Sequence, residues 1–167
     1  MGLAEHRAKA AAGVRCAIIT VSDTRTPETD ESGKEIARLL ESNGHRAVSR
    51  AVVADEPALI GLELRRRISD PDVDAVLLNG GTGIAKRDST VEVVRSFLDR
   101  ELPGFGELFR LLSFRQVGAA AMLSRAVGGI ADGKPVFCLP GSRAAVELAM
   151  GELILPELGH LVYEIRK

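Results

Sequence analysis

Leu78-Asn79-Gly80-Gly81-Thr82-Gly83-Ile84-Ala85-Lys86-Arg87-Asp88-Ser89-Thr90 is the stretch that decides the fold, because an apolar strand runs here into a glycine turn and then into a helix start. The glycines permit the backbone angles that a tight turn requires. Ser89, followed three residues later by Glu92, matches a capping box, which predicts a helix beginning at this point. A strand that feeds a helix in this way is typical of α/β proteins.

The same turn is a candidate phosphate site. Without a Cβ in the way, backbone N–H groups can point inward and form a concavity that suits an anion. Lys86 and Arg87 add positive charge, and Asp88 is a candidate ligand of a divalent ion. The stretch matches neither the Walker A loop nor the dinucleotide GxGxxG pattern. The alternative is a tight turn that needs its glycines for backbone geometry alone.

Composition limits the class of protein. The chain has 167 residues, which fits one domain, and we predict an N-terminal tail over residues 1–13 followed by a single domain over residues 14–167. Lys plus Arg number 22 and Asp plus Glu number 23, so neither a nucleic-acid partner nor a membrane surface is expected. No run approaches the roughly 18 apolar residues of a membrane span, and we expect a cytoplasmic protein.

Strand and helix patterns alternate along the chain. Apolar or alternating runs predict strands over residues 14–21, 45–54 and 73–78, and a hairpin of residues 124–130 with 134–139 around Ala131-Asp132-Gly133. Helical spacing lies between these runs, with Asp30 or Ser32 as a candidate cap of the first helix and Pro103-Gly104 and Pro156 as candidate breaks. This order predicts a three-layer α/β/α sandwich with a mostly parallel sheet and one antiparallel hairpin.

Polar groups follow several of the predicted strands. Ligands bind beyond the carboxyl ends of parallel strands, so Ser22-Asp23-Thr24, residues 80–88 and Pro140-Gly141-Ser142 should converge. Asp55 follows the second strand and belongs to the same edge.

The other candidate functional residues are weaker. Cys16 and Cys138 lie in apolar runs and are predicted to be inert thiols, and His6, His45 and His160 lack the spacing of a zinc site. Seven apolar residues cluster between positions 97 and 114 and either cover the sheet or pack against a neighbouring subunit: Phe97, Phe105, Leu108, Phe109, Leu111, Leu112 and Phe114.

Six segments together resemble the MoaB/Mog family of molybdenum cofactor biosynthesis over nearly the whole chain. The glycine stretch is similar to that family's GGTG...RD.T signature. The other matching segments are Val21-Ser22-Asp23, Asp55-Glu56, Pro103-Gly104-Phe105-Gly106-Glu107, Leu123-Ser124-Arg125-Ala126 and Leu139-Pro140-Gly141-Ser142. The resemblance implies a molybdopterin-binding domain of α/β/α architecture.

The resemblance also implies an activity. Such a protein is a molybdopterin adenylyltransferase, which uses Mg²⁺ to join the terminal phosphate of molybdopterin to the AMP part of ATP and releases pyrophosphate. By this likeness Asp55 and Asp88 are the catalytic carboxylates and the magnesium ligands. The remaining residues expected to bind substrate or nucleotide are Ser22, Asp23, Gly80, Gly81, Thr82, Gly83, Lys86, Arg87, Pro140, Gly141 and Ser142, with the last three on the pterin side.

Other classes of protein remain as alternatives to an adenylyltransferase. Family members lacking one or both aspartates are inactive, so a non-catalytic pterin-binding or scaffold protein is one alternative; this chain keeps both aspartates. A nucleotide phosphatase or kinase and a stand-alone domain of the metal-insertion enzyme are others. Arg143 stands where many members have proline, which affects the expected pterin contacts. The resemblance further implies a homo-oligomer, a trimer or hexamer, and handover of product to the molybdenum-insertion enzyme.

Overall fold

The computed structural model describes residues 10–167, so most of the predicted N-terminal tail lies outside the described residues. Its strands are β1 (Arg15–Val21), β2 (Arg46–Val53), β3 (Ala75–Asn79), β4 (Arg100–Glu101), β5 (Val127–Ala131) and β6 (Lys134–Leu139). Its α-helices are α1 (Glu31–Ser42), α2 (Pro57–Ser69), α3 (Thr90–Phe97), α4 (Pro103–Val117), α5 (Arg143–Ala149) and α6 (Leu155–Arg166). A 3₁₀ turn (Gly118–Leu123) follows α4, and a π turn (Met150–Ile154) joins α5 to α6.

The strands form a six-stranded sheet in the order β2-β1-β3-β6-β5-β4. β2, β1, β3 and β6 are parallel to one another, and β5 and β4 are added antiparallel at one side. Asp132, with a φ of 47°, and Gly133, with a φ of 72°, form the turn between β5 and β6, as the hairpin pattern predicts. The mostly parallel sheet with an antiparallel hairpin is therefore confirmed, and the short β4 extends its antiparallel part.

Two apolar layers enclose this sheet. One face packs against α1, α4, α5 and α6, with Ile18, Leu77 and Leu139 among the strand residues of its core. The other face packs against α2 and α3, through Ile19, Leu78 and Cys138 among others. All five residues of β3 are buried, as expected of a central parallel strand covered on both faces. The result is the predicted three-layer α/β/α sandwich.

One of the two expected helix breaks is wrong, and the other begins a few residues before the expected position. Pro156 does not interrupt the C-terminal helical run: α5 continues through the π turn into α6, and Pro156 lies in the first turn of α6, where a missing N–H group is tolerated. Pro103 begins α4 for the same reason, and the preceding helix has already ended at Phe97.

The phenylalanine cluster divides between two environments. Phe105 and Phe109 are buried in the core, with the Phe105 and Phe137 rings 4.9 Å apart. Large apolar side chains of α4 and the 3₁₀ turn remain exposed to solvent, and we call them the α4 apolar face: Leu108, Leu111, Phe114, Val117, Met122 and Leu123. The sheet-covering interpretation is thus correct for part of the cluster and wrong for the rest.

An ion pair between the buried Asp74 carboxylate and two more exposed arginines lies at the amino end of the parallel strands. The Asp74 carboxylate accepts hydrogen bonds from the Arg15 backbone and guanidinium at 2.8 to 3.0 Å, and from the guanidinium of Arg166. Burial alone would raise the pKa of Asp74, but the Arg15 and Arg166 hydrogen bonds outweigh it and lower this pKa to about 2. Asp74 therefore stays ionised across the physiological range.

Both cysteines are free and buried, Cys16 on β1 and Cys138 on β6, and β3 lies between these two strands. Burial raises the pKa of the Cys16 thiol and of the Cys138 thiol to about 12, so neither forms a reactive thiolate near neutral pH. The prediction of inert thiols is confirmed. Over the described residues, no helix combines the length and the apolar character needed to traverse a lipid bilayer.

Candidate functional site

The parallel strands β2, β1, β3 and β6 end at one edge of the sheet, and the loops that follow them contact one another there. We call this edge the rim. Asp55 N–H donates a hydrogen bond to Asp23 Oδ1 at 3.0 Å, which joins the loops after β2 and β1. Arg87, in the loop after β3, forms an ion pair with Asp23. The structure thus brings the predicted strand-end residues together.

The glycine turn is closely packed. Gly80 and Gly81 have φ angles of 94° and 66°, which residues with a side chain rarely adopt. A Cβ on Gly80 would lie 2.2 Å from the Val21 carbonyl oxygen, and one on Gly81 would lie 2.1 Å from Thr90 Oγ1 and 3.2 Å from Asp55 Oδ2. The glycines are therefore required for backbone geometry and for the close packing of the turn beside the Asp55 carboxylate.

Asp55 contacts the start of α3. Its Oδ1 accepts a hydrogen bond from Ser89 Oγ at 3.3 Å, so this carboxylate lies beside the residue that follows Asp88. Asp55 is not the cap of the helix that follows it, because the N-cap of α2 is Glu56. Asp55 is half-buried at the rim.

Asp88 is held by its own loop. Its Oδ2 accepts a hydrogen bond from Ala85 N–H at 2.9 Å, and its N–H donates to the Ala85 carbonyl at 3.0 Å. Its chain neighbour Arg87 forms its ion pair with Asp23. Lys86 is exposed in the same loop.

The predicted capping box does not form. α3 begins at Thr90 as predicted, with Ser89 as its N-cap, but the Ser89 side chain makes no capping hydrogen bond. Ser89 donates to Asp55 instead, and Glu92 pairs with Arg125. Contacts between distant parts of the chain have replaced a local motif.

Arg125 is the rim residue to which sequence reasoning assigned no role. It precedes β5, and its side chain reaches the Gly83 carbonyl, the Asp88 carbonyl and Glu92. It helps to line a cleft of about 380 Å³ together with Ile84, Ala85, Lys86, Asp88, Ser89 and Glu92. We call this cleft the loop cavity.

A second cavity lies beside the Pro140-Gly141-Ser142 loop. It measures about 200 Å³ and is lined by residues of α4, the 3₁₀ turn and α5, with Ser113, Gln116, Ser124 and Ser142 as polar groups. We call it the α4 cavity. Ser142 also caps α5, because its hydroxyl accepts a hydrogen bond from Ala145 N–H at 3.2 Å. Arg143 points toward Glu147 and Glu35, at 2.8 and 3.8 Å, and does not line this cavity.

A buried polar network supports the rim from below. Asn79 Nδ2 donates to Thr20 Oγ1, and Thr20 Oγ1 donates to Asp30 Oδ2, each at 2.9 Å. Asp30 Oδ1 accepts from Gly33 N–H at 2.9 Å, which makes Asp30 the N-cap of α1. This network joins the ends of β1 and β3 to the start of α1. The sequence indicated Asp30 as a candidate cap but gave no sign of its contact with Thr20.

The donor set at the rim fits Mg²⁺. That ion takes one or two protein carboxylates and fills its other positions with water and substrate phosphate oxygens. Asp55 and Asp88 each use one oxygen in a hydrogen bond to the protein, at Oδ1 and Oδ2 respectively. No group of three or more His, Cys, Asp or Glu residues that could form a closed metal cage occurs within residues 10–167. The arrangement therefore suits an ion shared with a substrate.

Together these features define an α/β protein with a candidate ligand site at the carboxyl edge of a parallel sheet. The family model described as a probable molybdopterin binding domain matches residues 17–160. The molybdenum cofactor biosynthesis protein B of Halalkalibacterium halodurans is 54% identical over 168 residues, covering 100% of this chain and 99% of that protein.

Solved structures agree with this match. A crystal structure of a molybdenum cofactor biosynthesis protein B has a TM-score of 0.91 and 51% identity, covering 94% of this chain and 98% of that chain. The tungsten cofactor synthesizing protein MoaB from Pyrococcus furiosus has a TM-score of 0.83 and 36% identity, covering 93% of this chain and 98% of that chain. The chain belongs to the MoaB/Mog family, and its role lies in molybdenum cofactor biosynthesis.

Proposed function

We propose that this chain is a Mg²⁺-dependent molybdopterin adenylyltransferase that uses ATP. A phosphate oxygen of molybdopterin attacks the α-phosphorus of ATP, the bond from that phosphorus to its bridging oxygen breaks, and pyrophosphate leaves with the electron pair. The observation that carries this proposal is the contact between the two carboxylate loops, since Ser89, next to Asp88, donates to Asp55 at 3.3 Å. Adenylylation needs both carboxylates at one place.

The side chains present suit this reaction. Phosphoryl and nucleotidyl transfer depend on positioning and on charge stabilisation, without a covalent nucleophile from the protein. Mg²⁺ held by Asp55 and Asp88 would neutralise charge on the phosphate oxygens. Lys86, exposed in the loop cavity, supplies a further positive charge, and backbone N–H groups at the start of α3 add donors.

Two cavities at one rim match two substrates. We assign the phosphates of ATP to the loop cavity, where Lys86 and Asp88 lie, and the pterin to the α4 cavity, where Ser142 and Gln116 are the polar groups. Gly80 lies in the loop after β3 and Gly141 in the loop after β6, and a Cβ on Gly141 would be 3.2 Å from Gly80 Cα. The loops after β3 and β6 therefore approach each other closely at these two glycines.

The phosphatase or kinase alternative has less support. His45 is a half-buried residue just before β2, at the opposite end of that strand from Asp55, and its Nδ1 accepts from Val14 N–H at 3.3 Å. His160 lies on α6, beside Glu157. Within residues 10–167 neither histidine lines the loop cavity, so the site offers no histidine as a general base.

The decisive experiment incubates the purified protein with molybdopterin, ATP and Mg²⁺ and measures adenylylated pterin and pyrophosphate. The Asp88→Asn variant keeps an oxygen for the Ala85 hydrogen bond and removes the charge, so we expect transfer to fall about 100-fold to 1000-fold while molybdopterin binding persists. Asp72→Asn, at an 85% exposed side chain of the opposite edge, is the matched control.

The binding-only alternative makes a different prediction. A non-catalytic scaffold would bind molybdopterin and yield no adenylylated product, with wild type and Asp88→Asn behaving alike. Rapid ATP hydrolysis in the absence of pterin would instead favour a phosphatase.

The proposed function also covers how copies of the chain assemble and where in the cell the protein acts. The α4 apolar face exposes six large side chains along one helix and the turn that follows it, Met122 by 78% and Phe114 by 58%, and exposed apolar patches often mark contacts between proteins. We propose that copies of this chain cover it in a trimer or a hexamer. We also propose a cytoplasmic protein that hands its product to the molybdenum-insertion enzyme.

A further inference from the structure

Arg125 connects three parts of the rim through one guanidinium group. Its Nε donates to the Gly83 carbonyl at 2.9 Å, its Nη2 donates to the Asp88 carbonyl at 3.0 Å, and its Nη1 pairs with Glu92 on α3. The side chain is 28% exposed, so it is held against the protein. A planar guanidinium with fixed N–H directions can make three such contacts at once, whereas a lysine ammonium is a point charge on a flexible stem.

The two carbonyls mark the ends of an exposed loop. Residues 83–87 are exposed, and the hydrogen bonds within the loop are those that join Ala85 to Asp88. An exposed segment with few internal bonds opens easily unless another part of the chain holds it. Arg125 lies 42 residues from Gly83 and 37 from Asp88, so it supplies a long-range restraint at both ends.

Two of the hydrogen bonds of Arg125 go to backbone carbonyls of the loop, and this determines its role. It binds the backbone of Gly83 and Asp88, so the Asp88 carboxylate is left for other partners. A fixed Asp88 backbone holds that carboxylate at the loop cavity before any ligand arrives, and such preorganisation lowers the cost of binding.

We propose that Arg125 is a positioning residue that holds loop 83–88 in its ligand-binding shape, with Glu92 orienting the guanidinium. The expected effect of Arg125 on the binding of ATP and Mg²⁺ rests on the proposed function. The restraint that Arg125 places on the loop does not depend on that function. Arg125 holds the loop through its forked geometry, and its charge alone does not suffice.

Hydrogen exchange of the loop amides tests the restraint without reference to activity. The N–H groups of Ala85 and Asp88 are hydrogen-bonded inside the loop, so their exchange reports its opening. In Arg125→Lys we expect exchange over residues 83–89 to accelerate about tenfold, with exchange in β1 and β3 unchanged. Arg67→Lys is the matched control, because the Arg67 guanidinium forms a 2.6 Å ion pair with Glu63 on its own helix, α2.

Ligand binding supplies the second measurement. We expect the apparent Kd for ATP with Mg²⁺ to rise about tenfold in Arg125→Lys, and the KM for ATP to rise more than kcat falls. Glu92→Gln, which removes the ionic partner and keeps an acceptor, should give a smaller change of the same kind. If Arg125→Lys does not fold, the hydrogen exchange of Glu92→Gln over residues 83–89 is used to test whether the loop is restrained.

The outcomes separate this inference from the proposed function. The positioning role is overturned if Arg125→Lys shows wild-type exchange rates over residues 83–89, even if transfer is lost. Where the lysine variant does not fold, wild-type exchange rates in Glu92→Gln overturn it in the same way. A loosened loop in a protein that makes no adenylylated pterin would support the positioning role and reject the enzyme. Exchange that accelerates equally throughout the sheet would show a global loss of stability, and this too would overturn the inference.

Discussion

Ser89 Oγ and Asp55 Oδ1 are 3.3 Å apart, and this hydrogen bond joins the loop after β3 to the loop after β2. The two residues are 34 positions apart in the chain, and the sheet brings them together because β2 and β3 flank β1 in parallel. The contact places the Asp55 carboxylate next to the residue that follows Asp88.

Removing the Ser89 hydroxyl tests this contact. We expect Ser89→Ala to weaken Mg²⁺ binding in the presence of ATP about threefold to tenfold, because Asp55 loses the hydrogen bond that holds it toward the Asp88 loop. Isothermal titration of Mg²⁺ into the protein with ATP measures this. Ser96→Ala is the control, since Ser96 Oγ donates only to Val93 O on the surface of α3. Equal Mg²⁺ affinity of Ser89→Ala and wild type would show that the contact is incidental.

The glycine turn gives a second prediction. Gly81→Ala places a Cβ 2.1 Å from Thr90 Oγ1 at a φ of 66°, so we expect about 1 to 3 kcal/mol lower stability and loss of ATP binding. Gly104→Ala is the matched control, because nothing lies within 4 Å of its Cβ position in the first turn of α4. Urea unfolding and ATP titration of both variants measure the two effects. A stable Gly81→Ala protein that binds ATP normally would contradict the close packing.

The ion pair at the opposite edge predicts a pH dependence of stability. The folded pKa of Asp74 is about 2 and its ordinary value is 3.8, so the ionised form is favoured on folding by about 2 kcal/mol. This contribution is present above about pH 4 and is lost as the pH falls from about 4 to 2.

Asp74→Asn should therefore lower the free energy of unfolding by about 2 kcal/mol at pH 7, with the difference from wild type shrinking below about pH 4. Urea titrations between pH 7 and pH 3 measure it. Asp72→Asn, at an exposed partner of the same Arg15, should change little at any of these pH values. A difference for Asp74→Asn that stays constant down to pH 3 would argue against the lowered pKa.

The α4 apolar face predicts an effect on assembly. A charge in an apolar contact between copies is costly, so Phe114→Glu should lower the mass seen in sedimentation from an oligomer toward the monomer. Leu62→Glu is the control, because Leu62 is 68% exposed on α2 and lies on the other side of the sheet. A wild-type protein that sediments as a stable monomer at micromolar concentration would remove the proposal.

Patterns that depend on near neighbours were predictable from the sequence. The apolar run of β3 and the Asp132-Gly133 turn each reflect local backbone preferences, and both lie where the patterns place them. The convergence of Asp55 with the Asp88 loop was also predictable, since it follows from the parallel sheet.

Features decided by distant partners were not predictable. Glu92 should cap α3 by local rules, but Arg125, 33 residues away, competes for its carboxylate. Arg125 itself is an isolated arginine before a strand, and no local spacing reveals that it reaches two loop carbonyls. Pro156 looked like a break because the π turn before it cannot be read from single-residue preferences.

The contact between Gly80 and Gly141 restricts how this protein can change under laboratory evolution. A side chain at Gly80 meets the Val21 carbonyl at 2.2 Å, and one at Gly141 crowds Gly80 Cα at 3.2 Å. Libraries that randomise these two positions should return glycine at Gly80 and small residues at Gly141. Altered ligand preference is then expected to arise at the walls of the α4 cavity, where the exposed Ala144 has room to vary.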